Sequence, residues 1–258
     1  MRFPLRLTAD LTLDRITRKL RHASDARPVH FVDAAEIFHH DSGHPVSHER
    51  IREIVSGRSP VVWIGGSEPL DHPGISHLVR AITQTGHFVF LETDGTLLRR
   101  RIHEFQPVSR LFLTIRLEPA TQRRTSKGFP AGNLELAAEG VRAARLSGFL
   151  ICVHVRIHVE TELSEIVELI QFARSQDVDG LVVSPAHGGL NSANPDNAMV
   201  QRKTAEARKL SGSKWWESFS RLVEPVVSGE RRAQPTGKEA SVRLEQEERT
   251  NEEGVRVA

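Results

Sequence analysis

"VVWIGGSEPLDHPG", Val61 to Gly74, is the stretch on which the fold turns. Four apolar residues, Val61 to Ile64, run into Gly65 and Gly66. A short apolar run bounded by glycines reads as a buried strand followed by a turn. Glycines placed there let backbone N–H and C=O groups come close to a ligand at the strand's C-terminal end. Glu68, held by Pro69, is expected to point a carboxylate into that mouth, where it suits an amine or hydroxyl donor. By its residues alone, the stretch is equally an ordinary strand-to-helix turn with a surface Glu.

The same alternation extends to both sides. Strands are expected at 28–34, 60–66, 87–95, 110–118, 149–160 and 179–186. In the fifth, Val153, Val155, Ile157 and Val159 alternate with His154, Arg156 and His158. Helical spacing appears at 48–57, 74–86, 96–105, 133–148 and 161–176, with Gly57, Gly86 and Gly148 suited to helix ends and Pro107 stopping the third. The segment 35–47, "AEIFHHDSGHPVS", reads as a polar loop. Six strands separated by helices require parallel pairing through right-handed crossovers. A closed eight-unit barrel lacks two of its units here. A six-unit partial barrel and a doubly wound sheet both fit the periodicity.

The chain divides by composition into a lead-in segment at 1–27, the alternating region at 28–190, a helical extension at 191–227 and a charged tail at 228–258 expected to be disordered. At 38% hydrophobic it has enough apolar residues for a core, and its +2 net charge comes from interleaved acids and bases. Nucleic-acid binding is not expected, because Arg99, Arg100 and Arg101 spread around a helix instead of lining one face. The basic loop "LEPATQRRTSKGFPAGN", 117–133, is the better anion-binding candidate. A lone Cys152 excludes an internal disulfide framework. No apolar run reaches the ~20 residues of a membrane helix, and the start lacks a secretory signal, so a cytoplasmic protein is expected.

The order of "GGSEPLDHP", "FLETDGTLL" and "LFLTIRLE" resembles the radical S-adenosylmethionine (SAM) superfamily, whose members carry a GGEP turn after the second strand and a TNGTLL-like segment after the third. "VDGLVVSPA", entering the sixth strand, is similar as well. The resemblance covers about residues 28–190 and implies an α/β fold, a (β/α)6 partial TIM barrel with parallel strands. It also implies a SAM site at Gly65, Gly66, Ser67 and Glu68, with Thr114, Arg116, Arg156 and Ser184 as positional candidates on later strands. Ser67 stands where the family usually has glycine.

One departure is decisive for the chemistry. The family holds a [4Fe–4S] cluster on a CxxxCxxC loop after the first strand, and the corresponding loop here has no cysteine. A cluster is therefore not expected, and the resemblance implies a non-catalytic SAM- or nucleoside-binding protein or scaffold partner of another enzyme. The same loop holds His39, His40, Asp41, His44 and His48, which suit zinc or iron(II) and give the alternative of a metal-dependent hydrolase or lyase. Trp215 and Trp216 offer either a partner-binding surface or a helix capping the barrel's open end.

Overall fold

The computed structural model describes residues 4–20, 27–40, 46–119, 133–186 and 195–228. Six strands, β1 (Val29–Asp33), β2 (Val61–Gly65), β3 (Phe88–Thr93), β4 (Leu111–Leu117), β5 (Leu150–Ile157) and β6 (Gly180–Pro185), pair in parallel in sequence order. That order gives the curled, half-barrel sheet implied by the resemblance and excludes the doubly wound alternative, whose strand order must reverse at a switch point. The helices in chain order are α1 (Leu5–Leu20), α2 (Ala34–His40), α3 (His48–Ser56), α4 (Ile75–Gln84), α5 (Leu98–Arg101), α6 (Asn133–Leu146), α7 (Leu163–Ser175), α8 (Pro195–Leu210) and α9 (Lys214–Val227).

Side chains alternate across the sheet and divide the core in two. Val62, Ile64, Val89, Leu91, Leu113, Ile115, Val153 and Val155 face the surrounding helices. Val61, Trp63, Phe88, Phe90, Phe112, Cys152 and Val182 fill the concave side. There Trp63, Phe90 and Phe112 sit opposite one another in register on β2, β3 and β4. Their rings stack at centroid distances of 5.2 and 4.7 Å. Both faces are thus apolar over most of the strands' length, which is why they read as nearly continuous hydrophobic runs.

An open half-barrel leaves its concave side to be covered, and α9 covers it. This helix packs against β6 and β1, the two edges of the sheet. Trp216, Phe219, Val223 and Val227 point into the concave cluster. Gly180 makes this possible: a Cβ there would lie 2.8 Å from Cε2 of the Trp216 indole. The structure therefore gives the Trp pair the capping arrangement, with Trp216 buried and Trp215 half-buried against it.

Three elements differ from expectation. The lead-in is a helix, α1, whose Leu7 is buried in the concave cluster. Residues 34–40, expected in strand and loop, form α2. Asp33 Oδ1 accepts from the Ala35 N–H at 3.0 Å at the start of that helix, and Ala34 and Ile37 are buried. The third helix is only a four-residue α5 followed by a 3-10 turn, Ile102–Glu104. The basic loop 120–132 and the tail from 229 lie outside the described residues. Cys152 is a buried core thiol, as expected.

Candidate functional site

At the C-terminal ends of the strands the concave face turns polar. A cavity of about 440 Å³ opens there, lined by Asp33, Gly66, Ser67, Glu92, Arg116 and Arg156 among others, and by Val227 and Ser228 at the end of α9. A smaller hollow of about 150 Å³, beside α4 and the approach to β4, gathers no comparable set of charges.

The two glycines of the opening stretch are used by the protein's own carboxylates. A Cβ on Gly65 would overlap Glu92 Oε2, and one on Gly66 would lie 2.9 Å from Asp33 Cγ. Gly66 also has φ of +92°, a conformation that strains any residue with a side chain. Its carbonyl accepts from Arg116 Nη1 at 3.0 Å. The turn therefore brings Asp33, Glu92 and Arg116 together around the cavity.

Glu68 is placed differently from the expectation drawn from its Pro neighbour. It turns into the protein, with Oε1 accepting from the Leu70 N–H at 3.0 Å and the Thr93 hydroxyl at 2.7 Å, and Oε2 from the Asp94 N–H at 2.8 Å. It thus ties the "GGSEP" turn to the "TDG" turn after β3. Burial pushes its pKa up to about 7 against the pull of those three donors. Arg101 reinforces the turn from outside, donating to the carbonyls of Leu70, His72 and Pro73 while paired with Glu104.

Glu92 occupies the position at the cavity that Glu68 was expected to fill. It is 4% exposed and accepts from Trp63 Nε1 at 3.0 Å and His154 Nδ1 at 2.8 Å. Burial alone would raise its pKa, but the charge and hydrogen bond of His154, with Arg116 and Arg156 nearby, outweigh it and hold the carboxyl well below its usual range. An ionised Glu92 only accepts, so Nδ1 of His154 carries a proton. Nε2 lies 2.8 Å from the Ser184 hydroxyl, which also donates to the Pro185 carbonyl at 3.2 Å. Ser184 is 0% exposed and does not line the cavity, so this serine–histidine–glutamate chain orients Glu92 and offers no nucleophile to a ligand.

The arginines complete the rim. Arg156 donates to Glu118 at 3.3 Å, and His158 Nε2 meets the same carboxylate at 2.6 Å. Partial burial of Glu118 would raise its pKa, but the His158 hydrogen bond and the Arg156 charge hold it below the usual range. The Arg156 Nε and the Thr114 hydroxyl are buried and lack a hydrogen-bond partner among the described residues. Thr114 stands opposite Glu92 in register.

Of the expected site residues, Gly66, Ser67, Arg116 and Arg156 line the cavity, Gly65 and Thr114 stand beside Glu92 without lining it, Ser184 bonds His154, and Glu68 braces the turn. Asp33, Glu92 and His154 were not anticipated. His154 and Arg156 share one face of β5 by alternation, a signal available in the sequence. Nothing there announced that Glu92, two residues before the "DG" of the next turn, faces inward. The side chains of His39 and His40, with Asp41 and His44, lie outside the described residues. The donor set does not fit a [4Fe–4S] cluster, because three thiolates are needed and the chain's single cysteine is buried in the apolar layer below the cavity.

No family model matches the chain. A curated protein of Methanosarcina barkeri (strain Fusaro / DSM 804), named AdoMet-dependent heme synthase, is 29% identical over 127 residues, covering 48% of this chain. The chain spans only 36% of that relative's length. Among solved structures, TYW1 with a lysine-pyruvate adduct bound matches 68% of this chain and 56% of its own, at 14% identity and a TM-score of 0.44. SuiB of Streptococcus suis bound to S-adenosylmethionine matches 66% of this chain and 40% of its own, at 14% identity and a TM-score of 0.45. Among the described residues, no helix is long and apolar enough to cross a membrane.

Proposed function

We propose that this chain, a relative of the radical SAM superfamily that lacks the three cluster cysteines, binds SAM or a SAM-derived nucleoside without cleaving it reductively, and serves as a binding or scaffold partner of another enzyme. One observation carries the reading: a polar cavity at the strand ends sets two carboxylates beside two guanidinium groups, and the buried Nε of Arg156, on its lining, has no hydrogen-bond partner among the described residues. Buried polar groups cost free energy until a hydrogen-bond partner meets them. A zwitterionic amino-acid end matches both signs of charge at once, its ammonium meeting Glu92 and Asp33 and its carboxylate Arg116 and Arg156. The name of the Methanosarcina relative points to the same ligand. When bound here, SAM would supply an amino-acid end and a nucleoside for recognition, while this chain's residues orient it and exclude water.

The test is calorimetric titration of the full chain, purified with and without oxygen, against SAM, S-adenosylhomocysteine, methionine and adenosine, with iron and sulfide assayed in parallel. Micromolar binding of the two amino-acid-bearing nucleosides, weakened at least tenfold by Arg156→Ala, is expected without iron. Stoichiometric iron and sulfide, or no heat with any of the four, would overturn it.

A further inference from the structure

We propose that α1 is the contact through which two copies of this chain associate, packed antiparallel across a two-fold axis. Leu5, Leu13, Ile16 and Leu20 are 72, 64, 50 and 75% exposed. On a helix of 3.6 residues per turn they fall with Ala9 and Thr12 on one stripe, opposite buried Leu7. Thr12 does not interrupt it: its hydroxyl donates to the Thr8 carbonyl at 2.7 Å, which leaves its methyl to face outward. Thr17, at the stripe's edge, is satisfied in the same way by Leu13.

The spacing of the stripe selects its occupant. Positions 5, 9, 12, 13, 16 and 20 map onto themselves when the helix is reversed about its midpoint. An antiparallel copy therefore sets Leu5 against the other copy's Leu20, Ala9 against Ile16 and Thr12 against Leu13. A two-fold interface needs this self-complementarity, since the same patch must serve both copies. The charges agree: Arg6 and Asp10 flank one side and Arg15 and Lys19 the other. In the reversed copy they face Thr17 and Leu13, and Thr8 and Thr12, so no like charges oppose. Arg6 donates to Ser109 and Arg110 to Asp10, which holds α1 at the N-terminal end of β4. The cavity at the opposite strand ends stays open in such a dimer.

Sedimentation velocity on the full chain over a concentration series tests this. The expected result is a monomer–dimer equilibrium that Leu13→Glu with Ile16→Glu weakens about 30-fold or more. Both residues are exposed, so circular dichroism should be unchanged. Thr12→Cys, close to the two-fold axis, should give an oxidised dimer on mild treatment, uncomplicated by the buried Cys152. A chain that stays monomeric at its highest soluble concentration would overturn the proposal. So would a dimer indifferent to the charged pair, or a monomer that instead floats with anionic vesicles through α1.

Discussion

Replacing Gly66 by Ala puts a methyl group where the structure has a carboxylate. Two costs follow. The backbone sits at φ of +92°, and holding a residue with a side chain there costs about 1–3 kcal/mol. The new Cβ would also lie 2.9 Å from Asp33 Cγ, closer still to Oδ1, so the carboxylate has to swing away. Moving it breaks the 3.0 Å bond to the Ala35 N–H that starts α2. A lost N-terminal cap of that kind costs about 1 kcal/mol. Together Gly66→Ala should lower stability by about 2–4 kcal/mol, read from urea unfolding at pH 7. The two parts separate in a double-mutant cycle. Asp33→Ala removes the cap together with the carboxylate, so Gly66→Ala in that background should cost only the backbone part. The expected coupling is roughly 1 kcal/mol, within the range for touching residues. Equal losses from Gly66→Ala in both backgrounds would show that Asp33 does not rest on this glycine, and would remove it from the site.

The remaining expectations concern the site's supports. Gly180→Ala should destabilise by about 1–3 kcal/mol through overpacking against Trp216, and by less when Trp216 is Leu; equal costs would mean that α9 is seated elsewhere. Glu92→Ala leaves the buried N–H groups of Trp63 and His154 without their acceptor and should cost about 2–6 kcal/mol, against about 1 kcal/mol for Ser184→Ala. Nitrogen NMR of the wild-type imidazole, showing the proton on Nδ1 of His154, checks the same chain. Glu68 has a folded pKa of about 7 above its ordinary 4.5, so the folded state holds the proton more tightly. That contribution is fully present below about pH 4.5 and is lost as pH rises through about 7, a change of at most roughly 3 kcal/mol. The stability of Glu68→Gln relative to wild type should therefore rise across that window, and a difference constant with pH would refute it.

Strand positions were legible because the strands are short, mostly apolar runs bounded by Gly, Pro or polar residues. Helix α2 was not, because its signal, Asp33 followed by Ala34 and Ile37, is one turn long and merges into a His-rich run. Helix α1 was missed for a related reason: most of its apolar residues are exposed and only Leu7 is buried, so no core face marks it.

By itself the sequence determined the six β/α units, the glycine pair after β2, the absence of cluster thiolates and the burial of Cys152. It determined these because periodicity, residue type and cysteine count are local quantities. Tertiary structure alone decided which carboxylate faces the cavity. Glu68 and Glu92 both stand near strand ends, and only the meeting of the turns after β2 and β3 satisfies Glu68 inwardly. Only the register of β3 with its neighbours puts Glu92 beside Trp63, His154 and the space above Gly65. A carboxylate's role follows from the donors that surround it, and those come from strands far apart in the chain.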